Sequence, residues 1–279
     1  MATARKTTFR LVGADGGPLR GDVRRADGAD AAVVVCHGFK GFKDWGCFPV
    51  AAERLARAGF AAVSFNFSGS GVGGDGEAFD QPERFAHSTI SAQLADLTAV
   101  LGALRDGALG FRPSALGLLG HSMGGGIAIL QAGSDSGAAP GALVTWAAVA
   151  AFERLWSADQ IALWRRQGYI DVVNQRTGLV LPLATDLLDD LQRHGTSLEP
   201  VAAAARVRVP WLIAHGTGDE TVPVSQAREL NAAARSAELL LIDGAGHTFG
   251  VRHPWAGSTP EFDRLLDATV AWFSRYLAR

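Results

Sequence analysis

A chain of 279 residues with 48% hydrophobic and 19% charged side chains and a formal net charge of -2 is long enough for one large α/β domain and short for two ordinary ones. That composition excludes a disordered or coiled-coil chain, and the near-neutral charge gives no electrostatic reason to expect nucleic acid or a membrane surface. No apolar run approaches the roughly 18 residues of a membrane span, and residues 1–10 lack the apolar centre of a secretory signal, so the expectation is a cytoplasmic protein whose partner is a small molecule. Neither of the two cysteines, Cys36 in an apolar run and Cys47 in a loop, has metal-ligand spacing around it; no metal and no cofactor are expected.

Residues 7–12 and 19–25, joined by a turn-rich stretch, read as an antiparallel hairpin. The pattern then changes to short, wholly apolar or β-branched runs at 31–36 and 60–67, separated by a helical stripe over 49–59, which is one βαβ unit. A second helix over 90–104 carries Ile90, Leu94, Leu97, Val100, Leu101 and Leu104 on one stripe and leads to a strand at 116–119. Further strands are expected at 142–149, 211–215 and 238–242. A closing helix over 261–277 turns Phe262, Leu265, Leu266, Thr269, Phe273 and Leu277 inward. Alternation of this kind predicts a mostly parallel, twisted sheet with helices on both faces. The segment 151–207 is too long for one crossover and carries Phe152, Trp156, Trp164, Tyr169 and a polar turn at 174–178. It reads as a small inserted cap within a single domain of residues 1–279.

Within this frame, Gly120-His121-Ser122-Met123-Gly124 joins an apolar strand to a glycine-rich helix start. A serine between glycines at these offsets fits a turn too tight for larger neighbours, which lifts the hydroxyl clear of the sheet. The pattern alone fits a plain glycine turn equally well, so its partners decide its meaning. A serine nucleophile needs an imidazole to take its proton and a carboxylate to orient that imidazole. His247, in the small-residue loop after the last strand, is the best-placed base. His37 and His215 occur as His-Gly at strand ends, where a ring more often braces a turn, and His87, His194 and His253 default to surface or cap roles. Asp219, in a glycine loop one strand earlier, is the favoured carboxylate over Glu220 and Asp243. Behind the first buried strand, Gly38 lets the chain turn so that the amide of Phe39 joins that of Met123 in holding a developing oxyanion. Oxyanion loop, Ser, Asp and His thus fall at successive strand ends.

These residues, over nearly the whole chain, resemble the α/β-hydrolase family: Gly120 to Gly124 resembles its nucleophile elbow, and Ser122, Asp219 and His247 match its triad in chain order. His37-Gly38-Phe39, the segment 65–71 and the small cap are similar to the serine aminopeptidase-like branch that includes cinnamoyl and feruloyl esterases. The resemblance implies cofactor-free hydrolysis of a small ester through an acyl-enzyme, with a cap that shapes the substrate pocket. Trp45, Trp156 and Trp164 are the expected substrate-binding rings, and Lys40 and Lys43 are candidates for attracting an anionic group. Amidase, peptidase or thioesterase chemistry on the same triad, or a non-catalytic binding protein of this fold, are the competing readings.

Overall fold

The computed structural model describes residues 4–73, 77–134, 139–174 and 178–277. The opening hairpin forms as expected, with β1 (Arg5–Val12) and β2 (Pro18–Arg25) antiparallel. β3 (Ala31–Cys36) is buried throughout, as an unbroken run of alanine, valine and cysteine requires. α1 (Phe48–Arg57) places a proline in its first turn, where no amide donor is missed, and lays Phe48, Ala51, Ala52, Leu55 and Ala56 against the sheet. Cys47, expected in a loop, lies in the turn just before this helix and is buried. β4 (Phe60–Phe65) stops short of residue 67 because the Phe67 N–H turns away to donate to His37 Nε2 at 3.2 Å.

Two helices follow, α2 (Pro82–Ala86) and α3 (Ile90–Arg105). Thr89 caps α3 by accepting from the Ala92 N–H. β5 (Ala115–His121) and α4 (Met123–Ala132) are separated by Ser122 alone. β6 (Ala142–Trp146) comes next. Before the following sheet strand the chain makes α5 (Ala158–Gln167), the hairpin β7 (Tyr169–Val173) and β8 (Val180–Ala184), α6 (Asp186–His194) and α7 (Pro200–Ala204). Of the turn expected at 174–178, residues 175–177 lie outside the described residues. β9 (Trp211–Gly216), α8 (Val224–Ala233), β10 (Ala237–Ile242) and α9 (Pro260–Leu277) complete the chain.

Eight strands form one sheet in the order β1-β2-β4-β3-β5-β6-β9-β10. All neighbours from β4 onward are parallel. Apolar cores lie on both faces: α3, α4 and α8 share one with the segment between β6 and β9, and α1 and α9 build the other. The chain leaves β3 towards β4 on one side, while β5 lies on the other, so the connections after β3 and β5 diverge and leave a crevice at their carboxyl ends. Register sets the contents of that crevice. Cys36 pairs with Gly120, so the residues that follow each, among them Gly38 and Ser122, meet across it. Among the described residues no helix is long and apolar enough to cross a membrane.

Candidate active site

Ser122 adopts φ 54°, ψ -120°, a backbone conformation that a side-chain-bearing residue reaches only under strain. The strain is held by contacts on both sides. A Cβ on Gly120 would sit 2.5 Å from the Gly124 carbonyl oxygen, and a Cβ on Gly124 would sit 2.2 Å from the His37 carbonyl oxygen. The Ser122 N–H donates to the Trp146 carbonyl at 2.9 Å, and its own carbonyl accepts from Gly125 and Gly126 in the first turn of α4. The strand before and the helix after therefore fix the hydroxyl, which is almost fully buried.

His247 follows β10 by five residues and Asp219 follows β9 by three, which carries both over the sheet edge towards Ser122. His247 Nδ1 lies 2.8 Å from Asp219 Oδ2 and its Nε2 lies 3.1 Å from Ser122 Oγ. A carboxylate can only accept, so Nδ1 holds the proton and Nε2 presents a lone pair to the hydroxyl. Asp219 Oδ1 accepts from the N–H groups of Thr221 and Val222, and His215 Nε2 stands 3.4 Å from Oδ2 while donating to the Val222 carbonyl. Burial by itself raises the pKa of the Asp219 carboxyl, but the hydrogen bonds of His215 and His247 outweigh it and hold the group well below the usual carboxylate range. Glu220 is exposed, and Asp243 accepts instead from the Thr217 hydroxyl at 3.0 Å.

On the other side of Ser122, residues 38–41 close a turn through Gly41 N–H and the Gly38 carbonyl. A Cβ on Gly38 would come within 3.0 Å of the Ser122 Cβ, so this loop runs directly beside the serine. The Phe39 ring is held between Phe85, stacked at 5.6 Å, and Trp156, edge-on at 5.5 Å, with Trp164 behind Trp156 at 5.1 Å. Neither the Phe39 nor the Met123 amide donates to another group of the described chain.

Two further histidines brace the site. His37 Nε2 accepts from Phe67 and its Nδ1–H donates to the Gly38 carbonyl; burial pulls its pKa down to about 4. His121 Nε2–H donates to the His247 carbonyl at 3.1 Å, and burial followed by the nearness of His247 brings it to about 3. Both are neutral rings at neutral pH. Sequence reasoning passed over the support that His121 gives to the His247 loop, although its place inside the elbow is the signal.

Ser122 and His247 open onto a cavity of about 310 Å³ whose other walls include Phe42, Trp45, Phe48, Phe79, Asn174 and His253. Of the three tryptophans expected at the substrate, Trp45 lines this cavity. Trp156 instead leans on Phe39, and Trp164 is completely buried behind it, because the segment after β6 packs these rings into the core of that sheet face. His253, expected at the surface or in the cap, is a wall residue: its Nδ1 accepts from Gly46 N–H and its ring stacks on Trp45 at 6.0 Å. Lys43 does not face an anionic ligand. Its ammonium is taken by Asp22 at 2.7 Å and by Asp44. Among the described residues no group of three or more His, Cys, Asp or Glu side chains converges as metal ligands would.

A profile of the Alpha/beta hydrolase family matches residues 33–258, most of the chain. The chain belongs to the α/β hydrolase family. Among solved structures, this α/β hydrolase is similar to a putative hydrolase from Agrobacterium vitis, at 21% identity and TM-score 0.71 over 96% of this chain and 98% of that one. It is also similar to Est1E from Butyrivibrio proteoclasticus with ferulic acid bound, at 18% identity and TM-score 0.70 over 97% and 100%. The esterase domain of a Rhodothermus marinus protein matches at 20% identity and TM-score 0.66 over 98% and 100%. At these identities the likeness is one of fold. No curated protein sequence matches the chain.

Proposed function

We propose that this α/β hydrolase cleaves carboxylic esters of small molecules through an acyl-enzyme on Ser122. The observation that carries the reading is the continuous line Asp219 Oδ2, His247, Ser122 Oγ, with contacts of 2.8 and 3.1 Å and the required proton on the Asp219 side of the ring. His247 takes the hydroxyl proton through Nε2 as Oγ attacks the ester carbonyl, and Asp219 steadies the imidazolium that results. The carbonyl oxygen, now negative, accepts from the Phe39 and Met123 amides, which have no competing partner among the described residues. When the tetrahedral species collapses, the carbon–oxygen bond to the alcohol breaks and His247 returns its proton to the departing oxygen. Water then repeats the sequence and releases the acid.

Within the same proposal, residues 151–207 act as a cap on a single domain of residues 1–279. Asn174, at the end of β7, reaches the cavity wall from that segment. Est1E with its ferulic acid and the esterase domain above support placing the chain near the serine aminopeptidase-like and feruloyl esterase branch. Ser122→Ala should lower kcat on para-nitrophenyl acetate by at least about 10³-fold while the thermal melt stays in place. A fluorophosphonate probe should label the wild type and not the variant. Retained turnover in Ser122→Ala would sink the assignment.

A further inference from the structure

Among the described residues, one cation lines the cavity without a counter-charge. Lys40, next to Phe39, takes a left-handed backbone conformation (φ 58°), lines the cavity and is itself exposed to solvent. The other positive or protonatable groups nearby are already committed. Lys43 is paired with Asp22 and Asp44, His253 bridges Gly46 N–H and Glu77, His247 is bound to Asp219, and His121 is neutral. Among the described residues the cavity lining contains no carboxylate, and Lys40 has no ion-pair or hydrogen-bond partner. Loss of surrounding water lowers its ammonium pKa from the ordinary lysine value, with no acidic group opposing the shift.

Aromatic residues form much of the rest of the wall. Phe39, Phe42, Trp45, Phe48 and Phe79 line a space of about 310 Å³. That lies at the small end of the roughly 300–1,000 Å³ range of ligand pockets, enough for a single ring system and too little for a long acyl chain. Flat apolar surface on several sides favours a planar group, and an unpaired ammonium at the edge favours one negative charge on it. A carboxylate on the substrate gains a charge-assisted contact with that ammonium, and a neutral ester of the same shape gains none, so the site discriminates by the added contact.

We propose that Lys40 selects aromatic esters that carry a carboxylate on the ring, holding the carboxylate at the cavity wall while the ester carbonyl reaches Ser122. The proposal rests on the ester-hydrolase reading above and adds to it the substrate class. It is tested with two matched pairs that differ only in charge: para-carboxyphenyl acetate against para-carbamoylphenyl acetate for the alcohol side, and phenyl para-carboxybenzoate against phenyl para-carbamoylbenzoate for the acyl side. In at least one pair the carboxylate-to-amide ratio of kcat/KM should be about tenfold higher in the wild type than in Lys40→Met, the size expected of a charge-assisted contact at a partly wet wall. Lys40→Glu should push the ratio lower still. Comparing ratios removes both the intrinsic reactivity of the esters and any general effect of the substitution on the loop.

A second arm needs no turnover. On Ser122→Ala protein, calorimetry should show benzoate binding more tightly than benzamide, with that preference lost when Lys40→Met is added. If no ester is cleaved by any form of the protein, the ester-hydrolase reading falls while the benzoate arm still decides the role of Lys40. Ratios in both pairs that are equal in wild type and Lys40→Met, or benzoate binding no tighter than benzamide in the Ser122→Ala background, overturn the proposal.

Discussion

The two flanks of Ser122 are held in place by different physics. On the His247 flank, Asp219 gathers two backbone N–H groups and two imidazoles around one buried carboxylate. On the Phe39 flank no charge holds the loop in place: a ring is wedged between Phe85 and Trp156, and glycine backbone lies against the serine. Directed hydrogen bonds tolerate almost no change of atom type, whereas packed rings tolerate a change of atom type and are sensitive to volume. The flanks should therefore fail in different ways.

The largest difference is expected from Asp219→Asn, which keeps the shape and removes the charge. An amide that donates where the carboxylate accepted forces His247 into the wrong tautomer, and kcat should fall by roughly 10³- to 10⁴-fold with little loss of fold. A loss under tenfold in ester kinetics would show that the polar flank does not act as described.

Acid stability separates the flanks next, and in the less obvious direction. His37 and His121 are neutral in the folded protein, at about 4 and about 3, while an unfolded chain protonates them near 6.5. Below pH 6.5 the unfolded state thus binds protons that the folded state refuses, and stability falls as the pH drops towards about 4, by a few kcal/mol in all. Asp219 loses stability in the same direction but in a lower pH window. Its depressed pKa stabilises the fold above the ordinary carboxylate value of 3.8 and is forfeited only below it. Early acid loss therefore belongs to the packed histidines, His37 edge-on to Phe67 at 5.0 Å and His121 against Phe48 at 6.0 Å, not to the charged network. Urea melts at pH 7 and pH 5 measure it, and His37→Gln should flatten the slope; stability that is level across this window contradicts the account.

The smallest effect comes from the ring wedge. Trp156→Ala opens space behind Phe39 and lets its amide drift, so kcat should fall by about tenfold while KM changes little, and Trp156→Phe should recover most of it. Equal kcat in Trp156→Ala and wild type would mean that glycine packing alone positions the loop.

What could be read from the sequence follows the same division. Parallel strands announce themselves as apolar runs, so residues 31–36 and 238–242 fall almost where the buried β3 and the edge strand β10 form, and the inward stripe of α9 is borne out residue by residue. Ser122, Asp219 and His247 were legible because each follows such a strand, and the structure brings their polar atoms together. The β7–β8 hairpin was not. Its buried face carries Ile170, Val172, Leu181 and Leu183, but Tyr169, Val173 and Val180 on the exposed face are apolar too, so no alternation of polarity marks the strands. α2, five residues long, is too short to show a period. The roles of Trp156, Trp164 and His253 were hidden for another reason: an aromatic ring has the same letter whether it fills a core or walls a cavity, and only long-range packing separates the two.

The interlock of Gly120, Gly124 and the His37 carbonyl has a consequence for anyone who wishes to redesign this protein. The turn bearing Ser122 and the loop bearing Phe39 are pressed together with no clearance for even one methyl group, so neither can be shifted without dragging the other. The candidate centre is in effect a single machined part. New substrates must be sought by recutting what surrounds it, at residues 40–45 and in the segment between β6 and β9, while the part itself is left untouched.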